Sequence, residues 1–456
     1  MLFSRNQQKM TLAIFLLLSF IMLVTGIANS SPLEEKWNVS FYEKNDNFIL
    51  SIIDLGSKGF IVAGSHGHSA SSANSDGFLY GVSPHGDLVW RTYFGGDQSE
   101  SFSEVLENGE QDYLAIGSTA SSGSGRRDAL IVKVDSNGSQ LWNRTLYQES
   151  CIISSAQRTS DGNLVLAGIR APLITAGGNL TALLIKADSE GNEIWAKNFG
   201  SGWIRKYDSF SSVQETPEGG FIMAGITTSF SSSKMGDGWM VKVDSKGNEM
   251  WNRSFGDVDI DMFNSVSLCA DGGYIAAGKS KPYGKSLFNA WMVKTDTDGN
   301  LLWEKRYLEG SDSSLSSIVQ TPDGNYIVAG STGKVPNGSI QASFGVDNYQ
   351  GFLMKIDDDG EEIWSYVFDT YSSSVFNTVI ESNGCYVVGG SVTSKSSGES
   401  DALLVLFEDT QLINEMKKES IELKISDQSK EEKSPISFTI TLAGLGLAFI
   451  MTRRRL

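Results

Sequence analysis

The sequence predicts an all-β fold: a seven-bladed β-propeller that its own N-terminal strand completes, followed by a C-terminal transmembrane helix. Three observations carry this. First, a marker tryptophan recurs at Trp37, Trp90, Trp142, Trp195, Trp251, Trp303 and Trp364, at intervals of 53, 52, 53, 56, 52 and 61 residues. Second, a run of the type "GGYIAAG" occurs seven times, from "KGFIVAG" to "GCYVVGG". Third, a strand-like segment such as "DGWMVKV" precedes each turn that leads to a tryptophan, beginning near Asp76, Asp128, Thr181, Asp237, Asn289, Gln350 and Asp401. A period near fifty with several short strands per unit is the mark of propeller blades.

Each unit resolves into four strands, a to d. Strand a is typified by "DMFNSVSL", b by "GGYIAAG", c by "AWMVKT" and d by "LLWEKRY". Strands c and d alternate in polarity, whereas b is apolar nearly throughout, as expected of a strand buried on both faces. "TPEGG" and "TPDGN" join a to b. "DSNG", "DSKG", "DTDG" and "DDDG" join c to d and place Gly where a positive φ is needed. One apolar position on strand c (Phe78, Leu130, Leu183, Trp239, Trp291, Phe352, Leu403) should pack blade against blade.

The count of strands fixes how the ring closes. The Trp37 segment precedes any strand a, and the last unit ends after strand c with no tryptophan strand of its own. The surplus strand therefore supplies the missing one and removes an exposed sheet edge. The expected organisation is a signal peptide at 1–30 and a propeller at 37–407. Its blades lie near 47–94, 99–146, 151–199, 208–255, 260–307, 312–368 and 373–407, the last completed by 37–42. A charged stalk at 408–435, a membrane anchor at 436–452 and a basic cytoplasmic tail at 453–456 complete the chain.

The two ends and the composition speak to location. Arg5 and Lys9 precede the apolar run from Thr11 to Ala28, and Ala28-Asn29-Ser30 has the small-residue pattern of a cleavage site. Near the other end, an apolar run from Ile436 to Thr452 is followed by Arg453, Arg454 and Arg455, which should stay on the cytoplasmic side. The propeller is thus expected on the extracellular face of the membrane, held by a single C-terminal pass. A formal net charge of -17 argues against nucleic acid as a partner. Cys151, Cys269 and Cys385 are far apart, form no CxxC pair, and read as buried apolar thiols. The oligomeric state is open.

"DALIVKVDSNGSQLWNRT", "TYFGGDQSESFSEV" and "TPEGGFIMAGITTS" resemble the secreted β-propeller repeats of prokaryotic cell-surface proteins, over roughly Trp37 to Phe407. The resemblance implies the fold and a surface location, but no activity, since one propeller hosts many. "DSKGNEMW" is distantly similar to the turn of quinoprotein dehydrogenases, but no adjacent cysteines accompany it. It also lies near the Asp-box of sialidases, with one extra residue between Gly247 and Trp251. The ending, Pro then apolar then basic, resembles the C-terminal sorting signals of archaeal and bacterial surface proteins, with "SPISF" where Pro-Gly-Phe would stand.

Repetition argues against chemistry in the repeated residues. Asp296 and Asp298, or Asp357 to Asp359, could suggest calcium, but these turns are too short to close a shell of about six oxygens. Lys133, Lys186, Lys242, Lys294 and Lys355 recur in five blades and read as scaffold. His66 and His68 share a loop, with His85 in the same blade, and no third and fourth zinc ligand is evident. No cofactor is expected.

What varies is the face bearing the b–c and d–a loops, which are long and irregular, and recognition usually lives in such loops. "FGSGWIRKYDS" is the odd d–a loop, with Trp203, Arg205 and Tyr207 as contact candidates. Arg126, Arg127, His66 and His68 join them from other loops. Small polar residues of strand a (Ser212, Ser265, Ser317, Asn377) should line a wet axial channel. Glycosylation acceptors occur at Asn38, Asn137, Asn143, Asn179, Asn252 and Asn337. The expectation is a non-enzymatic adhesion or assembly module that binds a surface protein or glycan. The alternative is a propeller enzyme, sialidase-like or, less favoured, a quinoprotein.

Overall fold

The structure, a computed structural model, describes residues 32–42, 46–67, 75–109, 111–123, 127–146, 150–171, 180–201, 206–231, 235–333, 349–393, 399–414 and 417. Seven antiparallel four-stranded sheets form a ring. Six contain four consecutive strands. The seventh pairs Leu33–Phe41 with Ser400–Asp409, placing the N-terminal strand outermost. Trp37 faces Leu406 in that pairing.

The cohesion of the ring lies between blades. Seven hydrophobic clusters each draw on two neighbouring blades. The one joining Ile49, Phe78 and Tyr80 to Phe41, Val387 and Leu404 closes the circle. Strand b is buried along its whole length in blades 2 and 4 (Tyr113–Thr119, Phe221–Thr227). The strand-c aromatics stack within their blade, Trp239 on Phe210 and Trp291 on Phe263, and Trp291 also abuts Gly238 of the blade before it.

The marker tryptophans bridge blades, which explains why turn and tryptophan repeat together. Each of Trp37, Trp90, Trp142, Trp195, Trp251 and Trp303 lies against the c–d turn glycine of the following blade: Gly86, Gly138, Gly191, Gly247, Gly299 and Gly360. These glycines have φ between 75° and 88°, and in most of them a Cβ would meet indole atoms at about 3 Å or less. Trp37, Trp251 and Trp303 also donate Nε1 to turn carbonyls of Pro84, Thr297 and Asp358 at 3.1, 3.2 and 3.1 Å. Blade 7 has no c–d turn. There Asp409 caps the helical residues 410–414, accepting from the Leu412 amide at 3.0 Å, and Leu412 is buried.

Both edge strands of the blades are bulged. Strand d carries its bulge at the residue before the tryptophan, as at Ile194 and Met250, and these side chains splay into solvent. Strand a carries one near the axis, as between Phe210 and Ser212. Bulges on edges discourage further strand addition.

Candidate functional site

The turn face is built from a repeated ion-pair device. Lys133, Lys186, Lys242, Lys294 and Lys355 stand opposite the marker tryptophans. Lys133 meets Asp112 at 2.9 Å, and Lys186 meets Asp161 at 2.7 Å. Lys294 reaches Asp271 at 2.9 Å and Asp358 at 2.6 Å, the second from the next blade. Lys355 reaches Asp323 at 2.7 Å and Asp409 at 3.5 Å. Lys186 and Lys242 lie over Phe221 and Tyr274 of the following blade. Although burial alone would raise the Asp271 carboxyl, its bond to Lys294 holds it below the ordinary range. The turn aspartates organise their own hairpins: Asp296 Oδ1 accepts the amides of Asp298 and Asn300 at 2.9 and 2.8 Å.

The axis holds a ring of side chains from strand a. Ser51, Ser155, Ser212, Ser265 and Ser317 accept amide hydrogens of the next blade, from Val105, Val213, Val266, Ile318 and Val379, at 3.1 to 3.3 Å. Asn377 donates to the Ile49 carbonyl at 3.0 Å. The serines expected to line a channel are therefore joints between blades. Blade 2 departs from the pattern with Glu104, whose carboxylate accepts the Ala156 amide as the serines do and also takes the Ser51 hydroxyl. Burial pushes this carboxyl up to about 7, while the hydrogen bonds from Ser51, Ala156 and Val105 pull it down.

On the loop face, acidic residues at the head of strand a hold the loops. Asp208 accepts from the Thr227 hydroxyl at 2.6 Å and from the Thr228 and Ser229 amides at 3.1 Å. Glu100 does the same for Thr119 and Ser121, at 2.6 and 3.0 Å. Main-chain bonds then stitch successive loops of blades 4 and 5 together: Thr228 N to Tyr207 O at 2.9 Å, Asp261 N to Gly236 O at 3.0 Å, and Lys281 N to Ile260 O at 3.0 Å. Arg306 holds the 256–260 loop through Asp257 at 3.0 Å. These stitched loops expose Tyr207 (41%), Phe230 (41%), Met235 (53%), Val258 (56%) and Tyr283 (80%).

Of the residues singled out from sequence, Tyr207 belongs to this sector, and Arg127 is exposed on another loop of the same face. His66 ends strand b of blade 1, bonded to Asn47 at 2.6 Å and packed on Tyr93 at 4.9 Å, while His85 sits on the turn face. Trp203, Arg205, Arg126 and His68 lie outside the described residues, as do Asn179, Asn337, the 1–30 segment and the 436–452 segment. Among the described residues no helix is long and apolar enough to cross a membrane, and no group of three His, Cys, Asp or Glu could hold a metal. Asn137 and Asn143 are exposed. Asn38 and Asn252 are half-buried and donate to Glu35 and Glu249, both at 2.5 Å, and Asn38 also accepts Tyr371 Oη at 3.0 Å. Cys151 and Cys269 are buried, with burial pushing their thiols up to about 12 and about 11, and Cys385 is half-buried. Sequence reasoning missed Phe230, Met235, Val258 and Tyr283. The only available signal was an apolar residue inside an otherwise polar loop.

These features define the chain as a seven-bladed β-propeller with one regular and one irregular face. No family profile and no curated protein matches it. Solved structures do. The polysaccharide lyase Uly1 aligns with a TM-score of 0.50 and 8% identity, over 82% of this chain and 99% of the lyase. Sqt1 from Chaetomium thermophilum gives 0.46 and 10%, over 80% and 87%. Trypanosoma rangeli sialidase gives 0.41 and 12%, over 91% of this chain and 63% of the sialidase. At 8% identity the likeness to the lyase shows the fold alone.

Proposed function

We propose that the protein is a non-enzymatic recognition module that binds a partner through the loop face of blades 4 and 5. The observation that carries this is the grouping of Tyr207, Phe230, Met235, Val258 and Tyr283 on loops fixed to one another by main-chain bonds. Exposed aromatic and aliphatic side chains on a rigid base are the makings of a binding surface. A protein partner suits Met235 and Val258, which offer aliphatic surface. A surface glycan is the other ligand class. The acids of this sector are committed to its own loops, Asp208 to amides and hydroxyls and Asp257 to Arg306. That supports binding over the glycosidase or quinoprotein alternative.

The proposal places the propeller outside the cell, on a charged stalk and a C-terminal membrane anchor, as in the prokaryotic surface proteins that its repeats resemble. Protease shaving of intact cells tests the location: release of the propeller supports it, and protection until lysis overturns it. A pull-down from surface extracts and a glycan array, each run with the wild type and a Tyr207→Ala/Tyr283→Ala double variant, test the face. Loss of capture in the double variant supports the patch, and equal capture by both overturns it. Hydrolytic or quinone-dependent turnover by the wild type would favour the alternative.

A further inference from the structure

One junction between blades lacks the residue that fills the others. The position opposite the marker tryptophan is lysine in blades 2 to 6 and Leu406 in blade 7. In blade 1 it is Gly81, opposite Trp90. The counter-ions are missing at the same place. Ser57 stands three residues before strand b, where Asp161, Asp271 and Asp323 stand, and Ser136 occupies the turn position of Asp358. The lysine and its acids are thus replaced as a set, and a gap with no carboxylate lining it is left. Trp90 leans into it, with Nε1 2.3 Å from where a Gly81 Cβ would be. In Trp37, Trp251 and Trp303 that nitrogen donates to a turn carbonyl. Among the described residues Trp90 Nε1 has no acceptor, and neither have those of Trp142, Trp195 and Trp364, so what sets this junction apart is the space at Gly81.

A cleft of about 320 Å³ remains between blades 1 and 2 on the turn face. Phe60, Trp90 and Tyr113 wall it, and Gln111, Ser136 and Asn137 edge it. Its single charged lining residue is Lys58, and no carboxylate reaches it. An aromatic wall, an indole N–H and an amide and hydroxyl rim suit a compact ligand with one apolar face and several hydroxyls. The volume lies at the small end of ligand sites, the size for one ring. We propose that this cleft binds a single neutral sugar residue, free or terminal on a glycan, stacked on the aromatic wall and hydrogen-bonded at the rim. The site lies on the opposite side of the ring from the loop-face patch and does not depend on it.

The test uses the purified full chain and a panel of methyl glycosides of neutral hexoses and N-acetylhexosamines, read by saturation-transfer NMR and tryptophan fluorescence. Transfer to at least one glycoside is expected. Gly81→Leu, which copies the Leu406 junction, should remove it. Ser136→Ala and Gln111→Ala should each weaken it about tenfold or less, the scale of one hydrogen bond, while leaving the melting curve in place. Those two variants keep the proposal testable should Gly81→Leu fail to fold. Tyr207→Ala/Tyr283→Ala should have no effect here. Absence of transfer from every glycoside, unchanged binding in Gly81→Leu together with the rim variants, or preference for indole or phenol over all the sugars would each overturn the proposal.

Discussion

The two faces of the ring obey different rules. On the turn face a tryptophan, a glycine turn and a lysine with its acids repeat from blade to blade, each element completing the neighbour's. On the loop face Glu100 and Asp208, at the head of strand a, also repeat one arrangement, each accepting a threonine hydroxyl from the end of strand b, but the loops beyond differ in length and sequence. The comparison teaches that repetition in this chain marks the interlocking of blades, and that departures from it are the places to look for binding. Two departures carry the binding proposals, the exposed apolar side chains of blades 4 and 5 and the empty position at Gly81, and a third, Glu104, bears on stability.

Removing residues 32–41 should have the largest effect. It strips the outer strand from blade 7 and takes Trp37 and Phe41 out of the closing cluster. The loss should exceed about 5 kcal/mol, near the whole stability of many domains. A single cooperative melt by circular dichroism in the truncated chain would break the idea that closure holds the ring.

Next comes Lys294→Ala, which leaves Asp271 and Asp358 facing each other without their cation; the lysine side chain is 3% exposed. Since the two carboxylates it leaves are 48% and 58% exposed, a cost of about 2–3 kcal/mol is expected in denaturant unfolding. Because Asp271 titrates below its ordinary value in the fold, its contribution is present above the unfolded value and is lost as pH falls through the lower folded one. The variant should therefore be flatter with pH in the acid range.

Glu104 gives a smaller effect of opposite pH sign. Its carboxyl is raised to about 7. The folded state therefore holds a proton that the unfolded state has already released, and stability falls as pH rises from the ordinary glutamate value through about 7. Glu104→Ser, which copies the other blades, should be more stable than the wild type at pH 8 by no more than about 2 kcal/mol, the side chain being only partly buried. The gain should vanish near pH 4. An equal gain at both pH values would show that packing, not ionisation, sets the difference.

Smallest on stability is the loop-face double variant Tyr207→Ala/Tyr283→Ala, expected to shift unfolding by no more than about 0.5 kcal/mol per site. Its effect belongs to binding, where losing such anchors costs about 1–2 kcal/mol or more each. A large stability loss would move these residues from recognition to scaffold and sharpen the boundary between the faces.

The sequence by itself determined the blade number, the strand order and the closure at Trp37, because each depends on a pattern repeated seven times and written locally in turn glycines and alternation. It also separated the regular face from the irregular one. Only the tertiary structure decided what the repeated residues touch. The marker tryptophan meets a glycine 48 to 57 residues onward, and Lys294 meets an aspartate 64 residues away, pairings that no local period contains. The serines of strand a, expected to line a wet channel, accept amides of the next blade. Phe230, Met235, Val258 and Tyr283 came into one sector only when loops far apart in the chain were stitched side by side. Gly81 looks ordinary in a glycine-rich chain. Its meaning appears once the register sets it opposite Trp90, in the place that lysine fills in five other blades.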